Sequence, residues 1–160
     1  MENIVISKLE KKDVKEAAKL IDIVYCDMIQ KREEIFIPKK ENFEDYLLTR
    51  LQDENFVIVV ATFEGKLVGV CEAEIKHLGD NIETRIRDIL FIDYIAVDEA
   101  YKRQGIGTKL LDYMKKVVKE KHIQSLELNV WGFNESAIEF YEACGMTKKR
   151  IVYEFFENKE

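Results

Sequence analysis

Apolar residues fall at Val14, Ala17, Ala18, Ile21, Tyr25, Met28 and Ile29, three or four apart, which predicts an amphipathic helix over Lys11 to Gln30. A shorter helical pattern follows Pro38, at Phe43, Tyr46, Leu47, Leu48 and Leu51. A third begins after Gly105, with Ile106, Leu110, Met114, Val117 and Val118 on one face. Between them the period changes to that of strands. Asn3 to Leu9 alternates; Phe56 to Phe63 is continuous and β-branched; Glu64-Gly65-Lys66 marks a hairpin turn; Leu67 to Ile75 returns with Val68, Val70, Glu72 and Glu74 in one register. A loop holding Gly79-Asp80-Asn81 leads to a strand ending at Val97. Ser125 to Val130 reads as a fifth strand, and Asn134 to Cys144 as a short helix with Asn134 as N-cap and Gly145 as stop. Met146 to Phe156 is predicted to supply the last strand material. The order implies one α/β domain over residues 1–160, built on a mixed, mostly antiparallel sheet.

Composition narrows the class. The 160 residues are 47% hydrophobic and 35% charged, which suits one globular domain with a real core. A formal net charge of -6 makes nucleic acid and anionic membrane poor default partners and is compatible with a cationic acceptor such as an amine. Cys26, Cys71 and Cys144 are odd in number and far apart, so free thiols and no metal site are expected. No apolar run reaches membrane-spanning length, and Met1 to Asp13 lacks a signal-peptide core; the reading is cytoplasmic.

The chemistry concentrates between Ile89 and Leu111: an apolar strand, the turn Asp98 to Gln104, then Gly105 and Gly107 opening a helix. A helix N-terminus carries N–H groups outside its own ladder and the positive end of the macrodipole, so it suits phosphate. The glycines let the backbone approach, and Lys102 and Arg103 add charge. A P-loop would need Gly-Lys-Ser/Thr, and Gly107 is followed instead by Thr108 and Lys109; a dinucleotide fingerprint would need a small residue where Leu110 stands.

The pattern Lys-x-x-Gly-x-Gly, Lys102 to Gly107, behind a strand ending Ile-Ala-Val, resembles the coenzyme A pyrophosphate loop of the GNAT superfamily of acetyl-CoA-dependent N-acetyltransferases. Lys102 departs from the usual Gln or Arg, keeping charge but not the planar fork. Leu126 to Met146 resembles a second family pattern, Asn-x-x-Ala-x-x-x-Tyr-x-x-x-Gly, here Asn134, Ala137, Tyr141 and Gly145. Together the two motifs cover roughly Ile89 to Met146. The resemblance implies the GNAT fold, with splayed fourth and fifth strands and flanking helices. It also implies acetyl-CoA as cosubstrate. The pantetheine arm would pair with backbone at Ile95 and Val97, beside Ala96. The pyrophosphate would rest on Gln104, Gly105, Ile106, Gly107 and Thr108, with Asn134 and Ala137 on the other side of the arm.

Direct acetyl transfer needs a neutral amine, a donor for the thioester oxygen and an acid for the thiolate. The resemblance makes Tyr141 the acid; packing beside Ile138 is the competing reading. Asp93 is the candidate base. Four residues before Val97, it shares Val97's face if the strand is regular, and it reads equally as a hydrogen-bonded acid. Glu72 and Glu74 are rivals, read mainly as a solvated face. Some N-terminal acetyltransferases of this family carry a carboxylate on the fifth strand where Asn129 stands, and Asn129 cannot act as a base. Trp131 and Phe133 are expected to pack near the arm. His77 and His122 are given no role. The expected acceptor is a primary amine of a small molecule or peptide, and acidic side chains from Asp22 to Asp45 would favour a cationic one. The rival from another class is a non-catalytic acyl-CoA-binding or sensing module on the same fold. The sequence leaves the oligomeric state open, and a homodimer is compatible with it.

Overall fold

The computed structural model of the protein describes residues 3–38, 42–79 and 81–157. Asp80, in the expected Gly79-Asp80-Asn81 loop, lies outside them. The chain falls into two compact units, Met1–Asn129 and Val130–Glu160.

The first unit runs β1 (Ile4–Lys8), a 3₁₀ turn (Lys11–Asp13), α1 (Val14–Lys31), α2 (Phe43–Arg50), β2 (Phe56–Phe63), β3 (Lys66–Leu78), β4 (Arg87–Val97), a second 3₁₀ turn (Glu99–Tyr101), α3 (Ile106–Glu120) and β5 (Ser125–Leu128). One sheet holds the strands in chain order. Neighbours are antiparallel except β4 and β5, which are parallel. The turn from β2 to β3 has two residues, Glu64 and Gly65, with φ of 49° and 79°. That is the twist a two-residue hairpin requires.

β2 reads as an unbroken apolar run because both faces of the sheet are covered. Ile58 and Val60 join Val70 and Ala96 under α1 and α2, in a core with Ala17, Ala18, Ile21, Phe43 and Leu47. On the opposite face α3 presents Ile106, Leu110, Leu111, Met114 and Val117, all buried. Gly69 marks the closest approach: a Cβ there would stand 2.9 Å from Ile106 Cγ2 and 3.1 Å from Leu110 Cδ1. The missing side chain lets α3 sit down on β3.

In the second unit α4 (Glu135–Ala143) is capped as expected. Asn134 Oδ1 accepts the Ala137 N–H at 3.3 Å. Gly145 (φ 82°) ends the helix, with the Met146 N–H donating to the Tyr141 carbonyl at 3.0 Å. The expected strand over Met146–Phe156 is not formed: residues 146–157 carry no regular structure. Ile151, Val152, Tyr153 and Phe155 are exposed. The run has the composition of a strand, but a strand also needs a ladder neighbour, and none pairs with it among the described residues. The fifth strand is likewise shorter than expected, ending at Leu128 and not at Val130.

Candidate active site

The parallel ladder between β4 and β5 runs from Ile89↔Ser125 to Ile92↔Leu128 and goes no further. β4 itself continues to Val97 beside β3. So residues 94–97 keep their β3 partners while β5 accompanies only the first part of the strand. This segment contains Ile95, Ala96 and Val97, the residues expected to meet an extended ligand. Ala96 is buried under α1 and α2, and Ile95 and Val97 are half-buried.

The strands part at an irregularity. Glu72 pairs with Tyr94, but its neighbour Ala73 pairs with Ile92, so Asp93 is one residue more than β3 can match. An extra residue bends a strand and resets its alternation. That overturns the expectation that Asp93 shares the face of Val97. The four-residue count holds only in a regular strand. The charges acting on Asp93 are Lys76, Glu74 and Arg50, of which Glu74 and Arg50 also act on Glu72.

Beyond Val97, Asp98 closes the turn. Its Oδ1 accepts the Ala100 N–H at 3.0 Å, and Lys66 Nζ lies 3.0 Å from Oδ2. The Lys66 hydrogen bond holds the Asp98 carboxyl below the ordinary carboxylate range. Lys102 is exposed and paired with Glu99. Arg103 is exposed with φ of 60°, and Gly105 caps α3 at φ 83° with no side chain to offer. The first helical bond is Lys109 N–H to the Gly105 carbonyl, 3.0 Å, so the N–H groups of Ile106, Gly107 and Thr108 fall outside the ladder of α3. A Cβ on Gly105 would meet nothing within 4 Å, so the space against this backbone is open. These features fit a diphosphate.

The third component lies on the α1 and α2 side of the sheet. Glu72 is fully buried, at 0% exposure, and not on a solvated face. The Tyr46 hydroxyl donates to its Oε2 at 2.8 Å. Arg50 Nε lies 3.1 Å from Oε1, yet no hydrogen bond aligns with either atom. The Arg50 guanidinium sits 3.5 Å from the centre of the Tyr46 ring and 4.8 Å from that of Phe56. Tyr46, Phe43 and Tyr94 meet edge to face, their ring centres 5.4 to 6.0 Å apart. Burial pushes the Glu72 carboxyl up to about 7 against the Tyr46 hydrogen bond; Asp93 and Glu74 raise it further, and Arg50 opposes them. Asp93 is exposed, and partial desolvation raises its carboxyl too. Burial pushes the Tyr94 hydroxyl up to about 12.

The remaining expected residues belong to the second unit. Tyr141 is half-buried on α4 and tilts against Phe140, ring centres 5.2 Å apart. Asn134 and Ala137 are joined by the cap. Trp131 and Phe133 stack on each other at 5.9 Å. Among the described residues no group of His, Cys, Asp and Glu is arranged to hold a metal, and no helix is long and apolar enough to cross a membrane.

Residues 21–146 match the Acetyltransferase (GNAT) family. The chain belongs to this family. An uncharacterized N-acetyltransferase of Methanocaldococcus jannaschii is 34% identical over 107 residues, covering 67% of this chain and 45% of that protein. This chain therefore spans less than half the length of that relative. An N-alpha-acetyltransferase of Sulfurisphaera tokodaii is 28% identical over 148 residues, 89% of this chain and 85% of that one. Among solved structures, a Bacillus halodurans protein determined as a tetramutant shares the fold, with a TM-score of 0.88 at 23% identity over 96% of this chain and 99% of its own.

In this GNAT-family chain, sequence reasoning passed over Glu72, Tyr46 and Arg50 as one group. The signal was present. β2 is apolar on both faces, so its neighbour β3 must be covered on both faces too, and a glutamate in register with Val68 and Val70 is then buried. Tyr46 and Arg50 lie four apart on α2, on one face of the helix. Of the acids on α1, Asp22 and Asp27 line a groove with Lys19, Ile23, Cys26 and Gln30.

Proposed function

We propose that this protein transfers an acetyl group from acetyl-CoA to a primary amine of a small molecule or peptide by direct attack, and that residues 1–160 act as one catalytic domain. The observation that carries the reading is the parting of β4 from β5 at Ile92, followed at Val97 by the turn into the uncapped start of α3. An extended pantetheine arm adds to Asp93–Val97 as a further strand would. Its diphosphate takes the N–H groups of Ile106, Gly107 and Thr108, with Lys102 and Arg103 supplying charge. Asp93, at the bulge where the strands part, faces the incoming amine and takes a proton from its ammonium form. Tyr141, in the Asn134-to-Gly145 motif, protonates the departing thiolate.

Incubation with acetyl-CoA and a panel of amines, including peptides with free α-amino groups, tests this by thiol release. Release with at least one amine class is expected. Binding of coenzyme A with no release from any amine would make the protein a sensing module instead. Tyr141→Phe should lower turnover by about 10²–10⁴-fold with acetyl-CoA affinity near wild type. An unchanged chemical step in single-turnover kinetics would return Tyr141 to packing.

A further inference from the structure

An alkylammonium acceptor must lose two protons before its nitrogen is an amide nitrogen. The exposed Asp93 accounts for one. The bulge brings a second, buried carboxylate to the same place. Glu72 pairs across the ladder with Tyr94, the residue next to Asp93, and is itself sealed from solvent beneath Tyr46. A buried carboxylate with one oxygen lacking a hydrogen-bond partner is expensive, and such a group asks for a reason. Burying a neutral residue between Val70 and Ala73 would serve the core better. The groups facing Glu72 are Tyr46 and Arg50 from α2, Asp93 and Tyr94 from β4, and Glu74 along its own strand.

Resting on the acetyl-transfer reading, we propose that Tyr46 and Glu72 form a relay that removes the second proton from the attacking nitrogen. The Tyr46 oxygen accepts the N–H proton as its own O–H passes to Glu72 Oε2. One N–H bond breaks, one Tyr46 O–H bond forms and another breaks, and a Glu72 O–H bond forms. The electron pair of the N–H bond stays on nitrogen. The amine's lone pair forms the C–N bond to the acetyl carbon, and the pair of the broken C–S bond leaves with sulfur, which takes the proton from Tyr141. Glu72 later returns its proton to solvent by the reverse path. Burial and the Glu72 charge push the Tyr46 hydroxyl well above its ordinary value, so no tyrosinate accumulates and the two transfers are coupled. Glu72 never touches the acceptor: it is a positioning residue that orients the Tyr46 hydroxyl and receives its proton. Arg50 favours the ionised form of Glu72 against the burial that opposes it.

The test is the pH profile of turnover for wild type, Glu72→Gln and Tyr46→Phe, with acetyl-CoA and whichever amine the panel selects. The wild type should show a rising limb near pH 7, where Glu72 ionises. Each variant should lose that limb and about 10²-fold in kcat, with the KM for acetyl-CoA held, and the double variant should be no slower than either single one. Because Glu72→Gln strips Arg50 of its partner, Tyr46→Phe is the cleaner variant: the ring under Arg50 stays. Carboxyl ¹³C titration should still show Glu72 ionising in Tyr46→Phe, at a higher pH than in the wild type because the Tyr46 hydrogen bond no longer holds it down, while the rate no longer follows it. Turnover that keeps the limb in both variants, or losses that add in the double variant, would overturn the relay and leave acetyl transfer standing. No thiol release from the wild type with any amine would sink both.

Discussion

Gly105 shows how one residue separates two effects. Its φ of 83° strains any L-residue, whereas a Cβ would meet nothing within 4 Å. Gly105→Ala should therefore cost about 1–2 kcal/mol of stability by thermal or chemical unfolding, with modest loss of acetyl-CoA affinity. Gly105→Glu adds the same strain plus a negative charge against the backbone cradle. Its affinity should fall at least about ten-fold below that of the alanine variant. Equal affinities would remove the diphosphate from this loop. Asp93→Asn makes a companion pair. If Asp93 takes the proton, the defect should shrink as pH rises and more amine is already neutral. A defect of constant size would assign Asp93 to positioning.

At the level of elements, helix α3 and the sheet are tied at Gly69. Gly69→Val would drive methyl groups into Ile106 and Leu110, the first residues of α3 on that face. Overpacking of this kind costs about 1–3 kcal/mol. Because Ile106 adjoins Gly107 and Thr108, the variant should also weaken acetyl-CoA binding, measured calorimetrically, although no ligand contact is changed. Binding at wild-type strength in a destabilised variant would mean that α3 moves as a rigid piece without disturbing its first turn. The same scale shows what was legible beforehand. β2, β3 and β4 with α1, α2 and α3 announced themselves, because burial on one or two faces writes a period into the residues. The turn into α3 was legible because two glycines precede apolar positions at helical spacing, which marks where a helix begins. The bulge was not: a single unmatched residue leaves the apolar alternation on either side intact and shows only when the partner strand is laid alongside. The Glu72 group was half-legible, since its register was plain while the cover provided by α2 was not. The absent last strand marks the limit of composition, which supplies propensity but no neighbour to bond.

For the molecule as a whole, Glu72 sets a pH dependence of stability. Unfolded, its carboxyl titrates near the ordinary 4.5; folded, near 7. A carboxyl raised by folding favours the native state fully below its unfolded value, and that advantage is lost as pH climbs through the folded value. At about 1.4 kcal/mol per unit of pKa, the difference across the window is about 3 to 4 kcal/mol. Unfolding free energies of the wild type should fall between pH 5 and pH 8 relative to Glu72→Gln, which should be flatter there whatever its absolute stability. Parallel curves would place the Glu72 carboxyl back in the ordinary range.

The parting of β4 from β5 also bears on amide hydrogen exchange. In most sheets a strand with neighbours on both sides is the slowest part to exchange, since its amides open only with the whole fold. β4 should divide instead. Amides from Ile89 to Ile92, enclosed by β3 and β5, should exchange at the global rate. Those of Asp93 to Val97 that point away from β3 should exchange like the margin of a sheet, until acetyl-CoA slows them. A single strand would then record in deuterium uptake both how tightly the sheet is held and whether the nucleotide is bound.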